Sequence, residues 1–143
     1  MKRPLRSINT FLTYSLDYTV ERFKGNRLTS DPERFLDENK AISENPDLAL
    51  GGVTYGWLSA TFDSIDILID PGFAKKITTP ILIVSAGCDR IVSVNAQKTI
   101  CSLLSHCRFT EIAGARHEIL KETDAVRSVF WNEFDRFTHT CNI

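Results

Sequence analysis

Asp89 and His117 are the two side chains whose types and placing could do chemistry together. Asp89 lies in Ala86-Gly87-Cys88-Asp89-Arg90-Ile91-Val92, just after an aliphatic, β-branched run. His117 lies in Gly114-Ala115-Arg116-His117-Glu118, after a second stretch of strand-like residues. Imidazole, the side chain that titrates near neutrality, can take a proton from a hydroxyl nucleophile and return it to a leaving group. A neighbouring carboxylate fixes the ring tautomer and stabilises the imidazolium that forms. In open parallel sheets functional groups gather beyond the carboxyl ends of the strands. Adjacent strands lie about 4.8 Å apart, so two turns leaving the same end can bring such a pair within hydrogen-bond reach. Either residue alone reads as an ordinary loop side chain. Together, each after its own strand, they read as an acid and a base.

The nucleophile is harder to find. A reactive serine is exposed on a strained strand-to-helix elbow of the form G-x-S-x-G. The nearest match, Ile83-Val84-Ser85-Ala86-Gly87, lacks the first glycine, and no helix follows it directly. Cys88 adjoins the candidate acid and has no separate base. No nucleophile is therefore assigned within this chain. There is no CxxC pair and no histidine pair at metal-ligand spacing, so neither cofactor nor metal is called for.

Elements must exist to hold the pair in place. Pro80 stands where a strand tolerates it, at the beginning, and Ile81 to Val84 has the continuous apolar character of a strand covered on both faces. Ser93 caps a helix with Ala96, Ile100, Leu103 and Leu104 on one side. Cys107 to Ala113 forms a second strand, whose Arg108, Thr110 and Glu111 suit a place nearer a sheet edge. Thr123-Asp124 opens a helix with a wide stripe of Val126, Val129, Phe130, Phe134 and Phe137. Strand–helix–strand–helix implies a right-handed parallel crossover. Two parallel strands alone leave unpaired edges, so the remaining strands are expected upstream of Met1.

Residues 1–70 have a helical texture. Leu5, Ile8, Leu12, Leu16, Val20 and Phe23 recur at helical spacing and predict a helix ending near Gly25. Ser30-Asp31-Pro32-Glu33 predicts a capped start for a helix running to about Glu44, with Phe35, Leu36 and Ile42 as a thin apolar face that places it on the surface. Gly51-Gly52-Val53-Thr54 is a turn leading into a helix with Leu58, Phe62, Ile65 and Leu68, stopped by Asp70-Pro71-Gly72. That stop divides the chain into a helical cap segment, residues 1–72, and a strand-bearing part, residues 73–143.

The 143 residues are 43% hydrophobic and 24% charged, with a net charge of -1, which suits a globular domain and excludes an electrostatic footprint for nucleic acid. The longest apolar stretch, Ile81 to Val84, is far short of the roughly 20 residues of a transmembrane helix. Thr10, Thr13, Tyr14, Ser15 and Asp17 interrupt any signal-peptide core. The four cysteines read as buried reduced thiols, which places the protein in the cytoplasm, at most peripherally on a membrane.

Pro80-Ile-Leu-Ile-Val-Ser-Ala-Gly-Cys-Asp-Arg-Ile-Val and Gly114-Ala-Arg-His-Glu-Ile-Leu, with Glu122 soon after, resemble the last third of bacterial lysophospholipases and monoacylglycerol-lipase-like hydrolases. These belong to the serine aminopeptidase branch of the α/β-hydrolase superfamily. Leu28-Thr-Ser-Asp-Pro-Glu-Arg and Leu50-Gly-Gly-Val-Thr-Tyr-Gly-Trp resemble the cap of the lysophospholipase group, with Val53 standing where a proline would be expected. The resemblance spans roughly residues 25 to 138. It implies the C-terminal portion of an α/β-hydrolase fold: two parallel strands with helices, preceded by a helical cap.

The resemblance further implies that Asp89 matches the triad acid and His117 the base, in the order serine, acid, histidine. The nucleophile elbow and oxyanion hole would lie in an earlier half not present here. The substrate implied is a lysophospholipid or monoacylglycerol, and the partner is the missing N-terminal half. Two other readings stand beside this one. The chain could be a non-catalytic interaction module that self-associates through its incomplete sheet, or a thiol enzyme using Cys88. Trp57, Phe62 and Phe11 read most simply as core packing.

Overall fold

The computed structural model describes residues 18–141. The described chain runs through α1 (Pro32–Glu44), α2 (Tyr55–Leu68), α3 (Pro71–Ala74), β1 (Ile81–Ala86), α4 (Val94–Leu103), β2 (Cys107–Ile112) and α5 (Asp124–Cys141), with short 3-10 turns at Pro46–Leu48 and Ile119–Lys121. β1 and β2 pair in parallel, in register from Ile81 opposite Cys107 to Ala86 opposite Ile112. This is the α/β arrangement expected from residues 77 onward.

The twofold period of the strands sorts the helices to opposite faces. Val84, Ala86 and Ile112 pack with Ala115, Ile119, Val126 and Phe130, so α5 covers one face. Glu133 of α5 also takes Arg108 Nη2 at 3.0 Å and the Thr110 hydroxyl at 3.2 Å on that side. On the other face Lys98 of α4 meets Glu111 at 2.7 Å and lies over the Phe109 ring. The polar residues of β2 are thus partnered by the two helices, and among the described residues β2 has a strand neighbour on one side only.

Over Ile81–Val84 the first strand is half-buried, and only Ser85 and Ala86 are fully covered. Among the described residues β1 has one strand neighbour and its helices cover it incompletely.

The described residues ahead of β1 depart from expectation in several places. Most of the helix expected to end near Gly25 lies outside the described residues. Its described end, residues 18–25, is irregular and closes on a turn with Gly25 at φ +89. Phe23 packs edge-on against Phe35, ring centroids 5.6 Å apart, so its apolar side chain anchors a loop to α1. Phe35 is consequently buried, although α1 otherwise lies on the surface, with Leu36 exposed. Asp31 is the N-cap of α1, its Oδ1 accepting from the amides of Glu33 and Arg34 at 3.0 Å each, and Pro32 takes the first turn.

α2 follows the expected turn, with Thr54 as its N-cap, but it fully buries none of its side chains. Trp57 and Phe62 are exposed, not core, and Phe11 lies outside the described residues. Tyr55 and Ile65 join them as large apolar side chains left open to solvent.

Cys101 and Cys107 form a disulfide, Cα atoms 5.3 Å apart at a sequence separation of 6. Cys88 is exposed and Cys141 partly so. The bridge overturns the reading of reduced thiols at Cys101 and Cys107; Cys88 and Cys141 are free as expected but not buried, and the cytoplasmic placement loses the bridged pair as support. The cause is the crossover, which brings the end of α4 back to the start of β2 within bridging distance. Closing so short a loop should stabilise the fold by about 2 kcal/mol in the chain-entropy account. Urea unfolding of Cys101→Ser/Cys107→Ser should show that loss, and reductant should have no further effect on the double variant.

Candidate active site

Asp89 is carried by a tight turn off the end of β1. Gly87 N–H donates to Ile112 O at 2.9 Å, Cys88 N–H to Ala115 O at 2.9 Å, and Asp89 N–H to Ala86 O at 3.0 Å. The two strand ends stay clasped as they enter their loops. Gly87 makes this approach feasible, since a Cβ there would stand 3.0 Å from Ile112 O and 3.2 Å from Ala113 Cα. Asp89 Oδ1 accepts from the amides of Ile91 at 2.8 Å and Val92 at 3.0 Å, which fixes the carboxylate plane and leaves Oδ2 free to face outward from the turn.

His117 arrives from the end of β2 through a turn with Gly114 at φ +80, a conformation that suits glycine. Its Nδ1 lies 2.8 Å from Asp89 Oδ2. The Asp89 side chain is 3% exposed and the imidazole 28%. A carboxylate has no proton to give, so Nδ1–H is the donor and the lone pair sits on Nε2. Among the described residues Nε2 has no hydrogen-bond partner. The ring is thus oriented by one nitrogen and open at the other. Such an arrangement can take a proton from a hydroxyl placed at Nε2, with the buried carboxylate compensating the charge that develops.

Both carboxylates near this loop are acidic beyond the ordinary. Burial pushes the Asp89 carboxyl up, but the His117 hydrogen bond, the Ile91 and Val92 amides and the imidazole charge together outweigh it and leave it lowered. Burial likewise pushes Glu122 up, and hydrogen bonds from Ser30, Arg116 and Thr123 bring it below its usual value. A carboxyl whose folded value is depressed binds fewer protons than its unfolded counterpart at mildly acid pH. It therefore contributes stability above the unfolded value, and that contribution fades as pH falls through the folded one. Stability should be flat near neutrality and drop progressively below about pH 4. Urea midpoints measured from pH 7 to pH 3 check this, and Asp89→Asn and Glu122→Gln should each flatten the acid limb.

The other candidates lie elsewhere. Ser85 is wholly buried within β1 opposite Glu111, and its hydroxyl has no hydrogen-bond partner among the described residues. Cys88 is exposed beside Asp89. Glu122, noticed in sequence only as part of a motif, proves to be fully buried. Its partner Ser30 is so distant in sequence that spacing could not have revealed the contact.

A family profile described as "Serine aminopeptidase, S33" matches residues 2–124. The chain belongs to that family. The chain is 33% identical over 110 residues to "Probable lysophospholipase L2" of Haemophilus influenzae, an alignment covering 77% of the chain and 34% of that protein. It is 30% identical over 114 residues to "Lysophospholipase L2" of Escherichia coli K12, covering 75% of the chain and 33% of the relative. It therefore spans about a third of the length of the curated relatives it matches. In fold it is similar to a soluble variant of monoglyceride lipase from Saccharomyces cerevisiae, solved with a substrate analogue, at TM-score 0.62 and 17% identity. That likeness covers 80% of this chain and 40% of the lipase. The fold is that of an α/β-hydrolase. No described helix is long and apolar enough to cross a membrane.

Proposed function

We propose that this chain supplies the acid, Asp89, and the base, His117, of a serine carboxylic-ester hydrolase acting on lysophospholipids or monoacylglycerols. The observation that carries the reading is the 2.8 Å contact between His117 Nδ1 and Asp89 Oδ2 at the carboxyl ends of two paired parallel strands. The lysophospholipase relatives support the substrate class, and the yeast lipase supports the same framework. The nucleophile and oxyanion hole come from a further polypeptide, continuous with this chain or separate from it. The burial of Ser85 inside a strand supports that division, since a hydroxyl there is closed to substrate.

Residues 1–72 act in this reading as a cap over the acyl chain. The exposed Tyr55, Trp57, Phe62 and Ile65 of α2 support it, because an aliphatic tail is held by apolar contact and exclusion of water. The test joins this chain to a nucleophile-bearing polypeptide of the same family and compares substrates. The joined protein should hydrolyse monoacyl glycerol and lysophospholipid esters in preference to aminoacyl amides. Cleavage of amides with no ester hydrolysis would overturn the substrate assignment.

A further inference from the structure

Glu122 is a charged group buried where no reacting atom can reach it. It is fully covered, yet depressed in pKa and therefore ionised at neutral pH. Burying an ionised carboxylate is costly unless hydrogen bonds replace its water, so its retained charge calls for a reason. Its Oε1 accepts from the Arg116 amide at 2.8 Å. Its Oε2 accepts from the Ser30 amide at 3.1 Å and from the Ser30 hydroxyl. Two amides and a hydroxyl converge on one side chain. Only a carboxylate, with about four lone-pair sites and no donor, can satisfy them all.

One of those donors directly precedes His117. Arg116, its predecessor, is held by Glu122 itself. The next two amides, of His117 and Glu118, donate to the carbonyls of Arg27 at 3.4 Å and Leu28 at 2.8 Å. The strip bearing those carbonyls is pinned to the same carboxylate through Ser30. It is further tied by Arg116 Nη1 to Thr29 O at 2.8 Å and by the Thr29 hydroxyl to Lys121 O at 2.6 Å. Much of the network around the His117 backbone thus passes through Glu122, beside Asn26, whose Oδ1 holds the Leu28 and Thr29 amides, and the Lys121 amide, which donates to Glu118 O at 2.8 Å.

We propose that Glu122 is a positioning residue that sets the His117 imidazole against Asp89 and ties this setting to the segment ahead of α1. The inference rests on the reading of Asp89 and His117 as an acid–base pair. A fully satisfied buried network has essentially one arrangement, so the ring is pre-aimed without contact between Glu122 and substrate. A glutamine at 122 would turn an NH2 toward amide donors and break the hub while keeping its volume.

The test follows the His117 Nδ1 proton by NMR in the full chain labelled with 15N-histidine. The wild type should show a downfield, slowly exchanging Nδ1 proton that Asp89→Asn removes. Glu122→Gln should speed its exchange with water by about tenfold or more, as local opening becomes easier. Glu133→Gln is the control, since it cuts the Arg108 pair between β2 and α5 away from the site and should leave the proton unchanged. If Glu122→Gln does not fold, Ser30→Ala replaces it, with a smaller acceleration in the same direction. Exchange unchanged in the folded variant, or equally fast in Glu133→Gln, would reduce Glu122 to general structure and overturn the proposal while the pair stands. Loss of the wild-type signal, or its survival in Asp89→Asn, would instead refute the pair, and this inference with it.

Discussion

Replacing His117 by alanine in the joined enzyme should lower ester turnover on the order of 10⁶-fold, the loss seen when a serine protease of this mechanism loses its base. The imidazole is the one group at the strand ends with an accepting nitrogen facing away from its carboxylate. Without it, a serine hydroxyl has nowhere to send its proton as it attacks the ester carbonyl, and the leaving alkoxide has no acid. The effect should fall on kcat, because alanine removes no group that holds the acyl chain. The ring is only partly buried, and its Nδ1 bond is to a carboxylate that keeps two amide donors. The fold should therefore survive, which circular dichroism and the urea midpoint would confirm. A kcat reduced only a few-fold, with the midpoint unchanged, would remove His117 from the chemistry.

Asp89→Asn should cost the joined enzyme about 10⁴-fold in kcat, with KM little altered. Asparagine has the same shape, and its carbonyl can still accept from the amides of Ile91 and Val92. Its amide group would then face His117 Nδ1 as a donor. The imidazole must answer as an acceptor at Nδ1 and carry its proton on Nε2, the nitrogen that should receive one. The variant keeps its geometry and holds the wrong tautomer. Asp89→Ala should be similar or worse, since it also frees two amides beneath the site. An Asp89→Asn enzyme within tenfold of wild type would show that the carboxylate only shapes the loop.

Much of this site was legible because it depends on local signals. Pro80 and the β-branched run place β1, Ser93 caps α4, and Asp89 and His117 each follow their own strand, so topology alone brings them together. The bounds of α1 and α5 are likewise marked by Asp31-Pro32 and by Thr123-Asp124. What could not be read depends on partners far along the chain. The apolar spacing of Val20 and Phe23 suggested a helix, but Phe23 is occupied by Phe35 and its segment is a loop. Trp57 and Phe62 looked like core by composition, yet among the described residues they stay exposed and α2 buries none of its side chains fully. Cys101 and Cys107 carry no motif, and their bridge follows only from where the crossover returns. Glu122 reads as an ordinary acidic residue near a helix start, and its burial is set by Ser30.

The most direct measurement is monoacyl ester hydrolysis by this chain alone and again after joining it to the polypeptide that carries a G-x-S-x-G elbow. Background rates alone, with turnover gained on joining and lost again in His117→Ala, are the predicted result. Hydrolysis by the unaided chain that disappears with His117→Ala would contradict the division of the triad. Turnover in the joined protein that ignores His117 would contradict the hydrolase reading itself.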